Sequence, residues 1–435
     1  MGRMPNRKRR GVSSGALWSA ASVLVVAALL ALIASGVGDK AFAAVVGLYD
    51  ALTPSSVSFS RSATSTPDDP APPALPQVAH VPTPDAVKAV YMSQCAAGTP
   101  SFRESLTKLI DETELNAIVI DIRDYTGGIA FPTTNPVLKD MVSDECGAND
   151  MKAFIESLHA KGIYVIGRIT VFQNPTYTKM HPEHAVQSTR GGVWKDRKGL
   201  AFVDVGATPY WDTVVELAKE SYAIGFDELN FDYIRYPSDG DMASAVYIKR
   251  DGKTKQELLE DFFKYLHEHM PEGVVTSADL FGMTTTNTDD LNIGQVLERA
   301  LPYFDYIAPM VYPSHYPKGF HGYNDVNANA YGIIHFSMSE AVRRTTATTT
   351  GIPSLAYTRI GTSTPAVYSK PAYPASKMRP WLQDFDYPVE YTPAMVQEQI
   401  KANSDAGLNS YMFWDPGNKY SSLKQVVSSS EVAGD

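Results

Sequence analysis

Four aspartates stand near the ends of short apolar runs in this 435-residue chain: Asp121, Asp232, Asp279 and Asp415. Arginines and aromatic residues accompany them, among them Arg123, Arg168 and Arg235, and Tyr125, Tyr236, Tyr312, Tyr316 and Trp414. A carboxylate placed in an apolar setting needs a partner or a task. Acids gathered at one cleft suit glycoside hydrolysis, in which one carboxylic acid protonates the leaving oxygen and a second carboxylate acts as nucleophile or as base for water. Aromatic faces suit the C–H face of a sugar ring, while Asp, Asn and Arg suit its hydroxyls. The candidate site is therefore Asp121, Arg123, Asp124, Arg168, Asn230, Asp232, Arg235, Tyr236, Asp279, Tyr312, Trp414 and Asp415.

Plainer readings compete at several positions. Asp121 with Arg123 reads equally as an ion pair, and Asp232 as a partner of Arg235 or Arg168. Asp279 could cap the turn at Gly282, Trp414 could be core, and Asp204 lies between turn and site. His181-Pro182-Glu183-His184 has metal-like spacing, but Pro182 spoils a helical display. No metal and no cofactor are expected, and neither a phosphate-binding loop nor a nucleophile elbow is present.

The elements that must position these residues follow from periodicity. Eight short runs rich in β-branched and aromatic residues read as strands: Lys88–Ser93, Ala117–Arg123, Tyr164–Ile169, Glu228–Tyr233, Val274–Leu280, Tyr306–Tyr312, Arg379–Asp384 and Ser410–Asp415. Helical stripes lie between them. Ser101 and Glu104 read as a capping box. Met151, Phe154, Ile155 and Leu158 form a stripe stopped by Gly162, and Val214 to Tyr222 form another before Gly225. Further stripes are Leu258 to Leu266 and Ile293 to Ala300, and Thr392-Pro393 opens a last helix. Residues 345–378 read as an insertion. Repeated βα units imply a parallel sheet with right-handed crossovers, and eight of them imply a closed α/β (β/α)8 TIM barrel with loop insertions, catalytic at the C-terminal strand ends. A doubly wound sheet is disfavoured because no glycine-rich turn follows the first strand. Alternation on the fourth strand turns Leu229, Phe231 and Tyr233 to the helices and Asn230 and Asp232 inward.

Residues 1–15 are a basic tip holding Arg3, Arg7, Lys8, Arg9 and Arg10. Residues 16–37 are uncharged and apolar, long enough at about 33 Å to span a hydrocarbon core. They read as a transmembrane signal anchor that exports the rest, with cleavage near Ala41-Phe42-Ala43 as the alternative. Residues 38–86, rich in Pro, Ser, Thr and Ala, read as a disordered linker, 87–420 as the barrel, and 421–435 as a flexible tail. The chain's net charge is −10; without the five basic residues at the tip it is −15, from 33 basic and 48 acidic residues. An acidic body argues against a nucleic-acid partner. Two cysteines exclude a disulfide scaffold, but Cys95 and Cys146 fall on one barrel rim of an exported domain and are expected to pair.

Val119-Ile120-Asp121-Ile122-Arg123-Asp124, Phe231-Asp232-Tyr233-Ile234-Arg235-Tyr236-Pro237, Ala308-Pro309-Met310-Val311-Tyr312-Pro313 and Arg379-Pro380-Trp381-Leu382-Gln383-Asp384 together resemble the bacterial putative glycosyl hydrolase family over residues 87–420. The resemblance implies a glycosidase-type barrel acting on a polysaccharide of the envelope or beyond. By analogy with barrel glycosidases, Asp232 at the fourth strand end takes the role of nucleophile or base. The proton donor at the fifth strand end is usually Glu; Asp279 stands there instead, with a shorter reach. A non-catalytic glycan-binding barrel and a metal-dependent hydrolase using Asp121, Asp232 and Asp279 are the alternatives.

Overall fold

The computed structural model describes residues 78–247 and 252–428. All eight strands form within two residues of the predicted ends: β1 (Lys88–Met92), β2 (Ala117–Arg123), β3 (Tyr164–Thr170), β4 (Glu228–Asp232), β5 (Val275–Phe281), β6 (Tyr306–Met310), β7 (Trp381–Gln383) and β8 (Tyr411–Trp414). Each pairs in parallel with its neighbours in sequence, and β8 returns to β1, closing the barrel. Alternate residues such as Ile118, Ile120 and Val165 pack outward against the helices, while Ala89, Val119, Ile166 and Met412 fill the interior. This division is why the strands read as continuous apolar runs: both faces are covered.

The helices at Met151–His159, Thr208–Ile224, Lys255–His269 and Pro393–Asp405 lie where the stripes place them. Thr392 caps the last through its side chain, which accepts from the Met395 N–H. Elsewhere local chemistry differs from the sequence reading. The first long helix opens at Pro100, with Thr99 rather than Ser101 at the cap, because proline suits the first helical position. Only Leu297–Ala300 of the next-to-last stripe is helical, following Gly294 at φ +85°. A helix at Ala330–Thr346 had no counterpart in the sequence reading, since its buried face includes Ser337, Arg344 and Thr345. The insertion after it holds a small antiparallel sheet of Thr349–Thr350, Thr358–Ile360 and Val367–Ser369.

Both ends of the barrel domain extend beyond their expected limits. Residues expected to be linker engage the barrel: the Val81 N–H donates to Asp227 Oδ1 at 2.8 Å, and the His80 ring stacks on Tyr222 at 4.0 Å. The expected tail is helical over Ser421–Val427, with Leu423 and Val427 buried. The proposed membrane segment, residues 38–77 of the linker and residues 429–435 lie outside the described residues. Among the described residues no helix is long and apolar enough to cross a membrane. Cys95 and Cys146 are joined as a disulfide with Cα atoms 4.6 Å apart, linking the loop after β1 to the segment before the Met151–His159 helix.

The barrel interior is polar along one strand. β4 turns Glu228, Asn230 and Asp232 inward, and each serves a different level. Glu228, fully buried at the floor, takes Arg379 Nη1 on both carboxylate oxygens (2.9 and 2.8 Å) and the Tyr164 hydroxyl at 3.1 Å. The Arg379 guanidinium lies 3.8 Å over the Tyr306 ring. Breaking a buried pair strands a charge, so Arg379→Met is expected to cost about 3–5 kcal/mol in urea unfolding. Adding Glu228→Gln is expected to recover part of that loss; a purely additive double variant would show that the two groups do not act as a pair.

Candidate active site

The upper level of the barrel is organised by Arg168, near the end of β3. Its Nη1 donates to Asp121 Oδ1 at 2.6 Å, and its Nε and Nη2 donate to Asp232 Oδ2 at 3.1 and 2.5 Å. Nε also lies 4.0 Å from Asp279 Oδ2. Three aspartates from β2, β4 and β5 therefore converge on one guanidinium. Burial alone would lower the pKa of Arg168, but Asp232 and Asp121 outweigh it and hold it well above its ordinary value.

The three acids are not equivalent. Asp121 receives the Tyr91 hydroxyl at 2.5 Å beneath Arg168; burial, opposed by Arg168, pushes it up to about 6. Asp232 accepts the Tyr233 N–H on Oδ1 and Arg168 on Oδ2. Asp279 accepts Asn230 Nδ2 (2.9 Å) and Trp381 Nε1 (2.7 Å), both on Oδ1. Burial, reinforced by the charge of Asp232, raises Asp279 well above the usual carboxylate range. Since Oδ1 meets only donors, the proton of a neutral Asp279 belongs on Oδ2. The Asp232 and Asp279 Oδ2 atoms lie 3.1 and 4.0 Å from the same Nε, so they are at most about 7.1 Å apart.

A cavity of about 310 Å³ opens above these groups. Arg168, Asp232 and Asp279 form part of its base, with Tyr312, Trp381 and Trp414 beside them. The Tyr312 and Trp414 rings lie 5.4 Å apart, and Phe385 meets Trp414 edge-on at 5.2 Å. A compact acidic base beneath aromatic faces has the size and the chemistry to take a sugar ring.

The family described as "Putative glycosyl hydrolase domain" matches residues 89–420. The chain belongs to this family. This glycosyl hydrolase domain is of the glycosidase class, and carbohydrate is the substrate its family implies. Among solved structures, the glycoside hydrolase domain of PgaB (BpsB) from Bordetella bronchiseptica is similar at TM-score 0.52 and 12% identity, over 79% of this chain and 99% of that one. Alpha-L-fucosidase isoenzyme 2 from Paenibacillus thiaminolyticus gives 0.50 and 12%, over 80% of this chain and 49% of that one. At these identities the likeness shows the fold. A hypothetical protein from Ruminiclostridium thermocellum ATCC 27405 is 31% identical over 47% of this chain and 98% of its own, at TM-score 0.41. No curated protein matches.

The glycosyl hydrolase barrel brings Arg168, Asp232, Arg235, Asp279, Tyr312 and Trp414 to the cavity wall. Asp121 and Asn230 stand behind it, holding Arg168 and Asp279. Four expected contacts are elsewhere. The β2–β3 register shifts between Asp121 and Arg123, so Arg123 leaves the inward phase; its Nε donates to the Thr170 carbonyl at 2.8 Å, and its guanidinium lies 5.7 Å from the Tyr210 ring centroid. Asp124 caps a turn, accepting the Thr126 N–H at 2.8 Å. Tyr236 is buried behind the wall against Tyr247. Asp415 closes its own loop by accepting the Gly417, Lys419 and Tyr420 N–H groups. Asp204 likewise caps a turn at Gly206.

Tyr233 corrects the alternation in the other direction. It adopts φ +50°, a left-handed conformation that turns it from the expected helix-facing phase onto the cavity. Tyr91 and Trp381 were missed, although the inward phase of β1 and β7 could have found them: Tyr91 follows Ala89, and Trp381 follows Arg379, at two-residue spacing. Phe281, the last residue of β5, follows Asp279 at the same two-residue spacing and could have been found in the same way, whereas Met283 and His315 come from 3-10 turns with no such phase. At the rim, the ligand atoms of His181, Glu183 and His184 lie within 4.8 Å of one another, because Pro182–His184 is a 3-10 turn rather than an α-helix; none of the three lines the cavity.

Arg168→Met removes the cation on which the acids converge. Stability at pH 7 is expected to fall by about 3–5 kcal/mol. Without Arg168, which opposes the upward shifts of Asp121 and Asp279, those two pKa values rise further, so the penalty is present above the unfolded value near 3.9 and shrinks as acid protonates the cluster. Urea midpoints at pH 4 and pH 7 test this; a deficit that does not change with pH contradicts it.

Proposed function

We propose that this barrel hydrolyses O-glycosidic bonds in an extracytoplasmic or cell-envelope polysaccharide, with Asp279 as proton donor and Asp232 as nucleophile or base. The observation that carries the reading is the unequal treatment of two facing carboxyls in one cavity. Asp279 is raised by burial and by Asp232, while Asp232 is paired with Arg168. Environments that drive paired acids apart are what assign acid and base roles. Asp279 Oδ2 delivers its proton to the glycosidic oxygen as the C–O bond breaks. Asp232 then either forms an ester with the anomeric carbon, which water later cleaves with Asp279 taking its proton, or removes a proton from water as water adds directly. The spacing limit of about 7.1 Å lies within the reach of both paired-carboxylate geometries, about 5–5.5 Å for retention and about 6.5–9.5 Å for inversion.

A metal-dependent reading is less well supported, because Arg168 already occupies the focus of Asp121, Asp232 and Asp279, where a divalent cation would have to sit. Export is supported by the basic, then apolar, N-terminal sequence and by the Cys95–Cys146 disulfide, which suits an oxidising compartment.

Three expectations follow from these roles, each read against envelope and extracellular polysaccharides. Asp232→Asn lowers oligosaccharide release by about 10⁴-fold or more; release unaffected by this change overturns the assignment. Asp279→Asn lowers release by about 10²–10⁴-fold but spares aryl glycosides whose leaving group needs no proton; equal losses on both substrates contradict a proton donor. Activity needs Asp279 protonated and is lost as pH rises through its raised pKa. Since the Trp381 hydrogen bond lowers that pKa, Trp381→Phe is expected to move the alkaline limb of kcat/KM to higher pH; a limb that moves down or stays fixed refutes the coupling.

A further inference from the structure

Arg235 has a position unlike that of the other buried arginines. Arg168, Arg299, Arg344 and Arg379 each pair with a carboxylate. Arg123 is sealed, with no exposure, beside the Tyr210 ring. Arg235 is 8% exposed, lines the cavity beside Asp232 and Asp279, and pairs with no carboxylate among the described residues. Its guanidinium packs against both the Tyr233 and Phe281 rings, each centroid 4.7 Å away. One nitrogen, Nη1, donates to the Tyr236 carbonyl (3.0 Å) and to Ser238 Oγ (3.2 Å). The Nε and Nη2 donors have no hydrogen-bond partner among the described residues.

The left-handed turn at Tyr233 produces this arrangement. The Tyr233 ring reaches the cavity, and Arg235, two residues on, lines it with its guanidinium against that ring. The rings and Nη1 contacts fix the plane of the guanidinium and leave its Nε–Nη2 edge as a preorganised fork. Such an edge matches a planar carboxylate through two parallel N–H···O bonds. A single sugar hydroxyl would satisfy one of these donors and leave the other without a partner. Burial pushes the Arg235 pKa down, opposed by Tyr233 and by the charges of Asp232, Asp239 and Asp196, none of which bonds to its Nε–Nη2 edge. The acidic charge of the chain as a whole does not oppose an anion at this edge, because exposed charges are largely screened beyond about 8–10 Å in physiological salt.

We infer that Arg235 selects a substrate whose sugar bears a carboxylate, so that the polysaccharide taken by this cavity contains hexuronic acid. The inference rests on the glycosidase reading only for the word substrate; recognition itself is independent of turnover. The test is calorimetric binding to the full chain carrying Asp232→Asn, which blocks cleavage. The probes are oligosaccharides of galacturonate, glucuronate and mannuronate, each beside its carboxyl-reduced neutral counterpart, together with sulfated and phosphodiester-linked glycans.

At least one uronate is expected to bind ten-fold or more tighter than its reduced form. Arg235→Gln is expected to erase that difference, and Arg235→Lys to retain part of it. Equal affinity for acid and reduced forms, no uronate binding at millimolar concentration, or Arg235-dependent binding confined to sulfated or phosphodiester glycans overturns the inference. The comparison of acid with reduced probes needs no Arg235 variant, so it stands even where Arg235→Gln fails to fold. Release of neutral oligosaccharides by the wild-type chain, without preference for uronates, defeats this inference and leaves the glycosidase reading intact. Arg235-dependent uronate binding with no hydrolysis of any bound probe does the reverse.

Discussion

One guanidinium among three buried aspartates is the constraint on which the mouth of this barrel depends. Arg168 is drawn inward by the alternation of β3, and Asp121, Asp232 and Asp279 arrive from the inward phases of β2, β4 and β5. A single positive charge cannot satisfy three carboxylates equally. Arg168 takes direct hydrogen bonds to Asp121 and Asp232 and leaves Asp279 at 4.0 Å, held by the neutral donors of Asn230 and Trp381. The shortage of positive charge leaves Asp232 ion-paired, Asp121 ion-paired yet pushed up by burial to about 6, and Asp279 raised with no direct bond to the cation. The chemistry proposed for the site is a consequence of that imbalance.

The floor of the barrel supports it. Glu228 and Arg379 close the lower level as a balanced pair, so the charge deficit is confined to the upper level, beside the cavity. β4 contributes to both levels and to the one between, through Glu228, Asn230 and Asp232. The most specific part of the family resemblance, Asp232 to Pro237, begins at its last residue, and the role of the strand explains why polar residues recur along it at two-residue spacing in an otherwise apolar run.

The barrel was legible in the sequence because its signals are local: β-branched runs for strands, i, i+3, i+4 stripes for helices, and glycines such as Gly162 and Gly225 where chains turn with positive φ. The acids Asp121, Asp232 and Asp279 were legible for the same reason, since strand alternation fixes their direction. The errors arise where a local rule meets a non-local override. The register shift after Asp121 carried Arg123 to the helix layer, and the left-handed turn at Tyr233 brought that ring to the cavity while placing Tyr236 behind the wall. The Ala330–Thr346 helix escaped notice because Arg344 lies on its buried face, neutralised by Glu298 from a distant segment. A sequence can show that Arg344 is charged, but not that its partner is waiting 46 residues away.

The proposed roles require Asp279 to hold its proton at neutral pH while Asp232, in the same cavity, is ion-paired with Arg168. Infrared difference spectra of wild-type chain against Asp279→Asn and Asp232→Asn, recorded at pH 7, read this directly through the C=O stretch of a protonated carboxyl. A component of the protonated-carboxyl band is expected to be lost in Asp279→Asn and, because loss of the Asp232 charge lowers the Asp279 pKa, only weakened in Asp232→Asn. The contribution of Asp384, which burial pushes up to about 8, is common to all three spectra and cancels in the differences. A wild-type band that survives Asp279→Asn unchanged, or disappears only in Asp232→Asn, would contradict these roles.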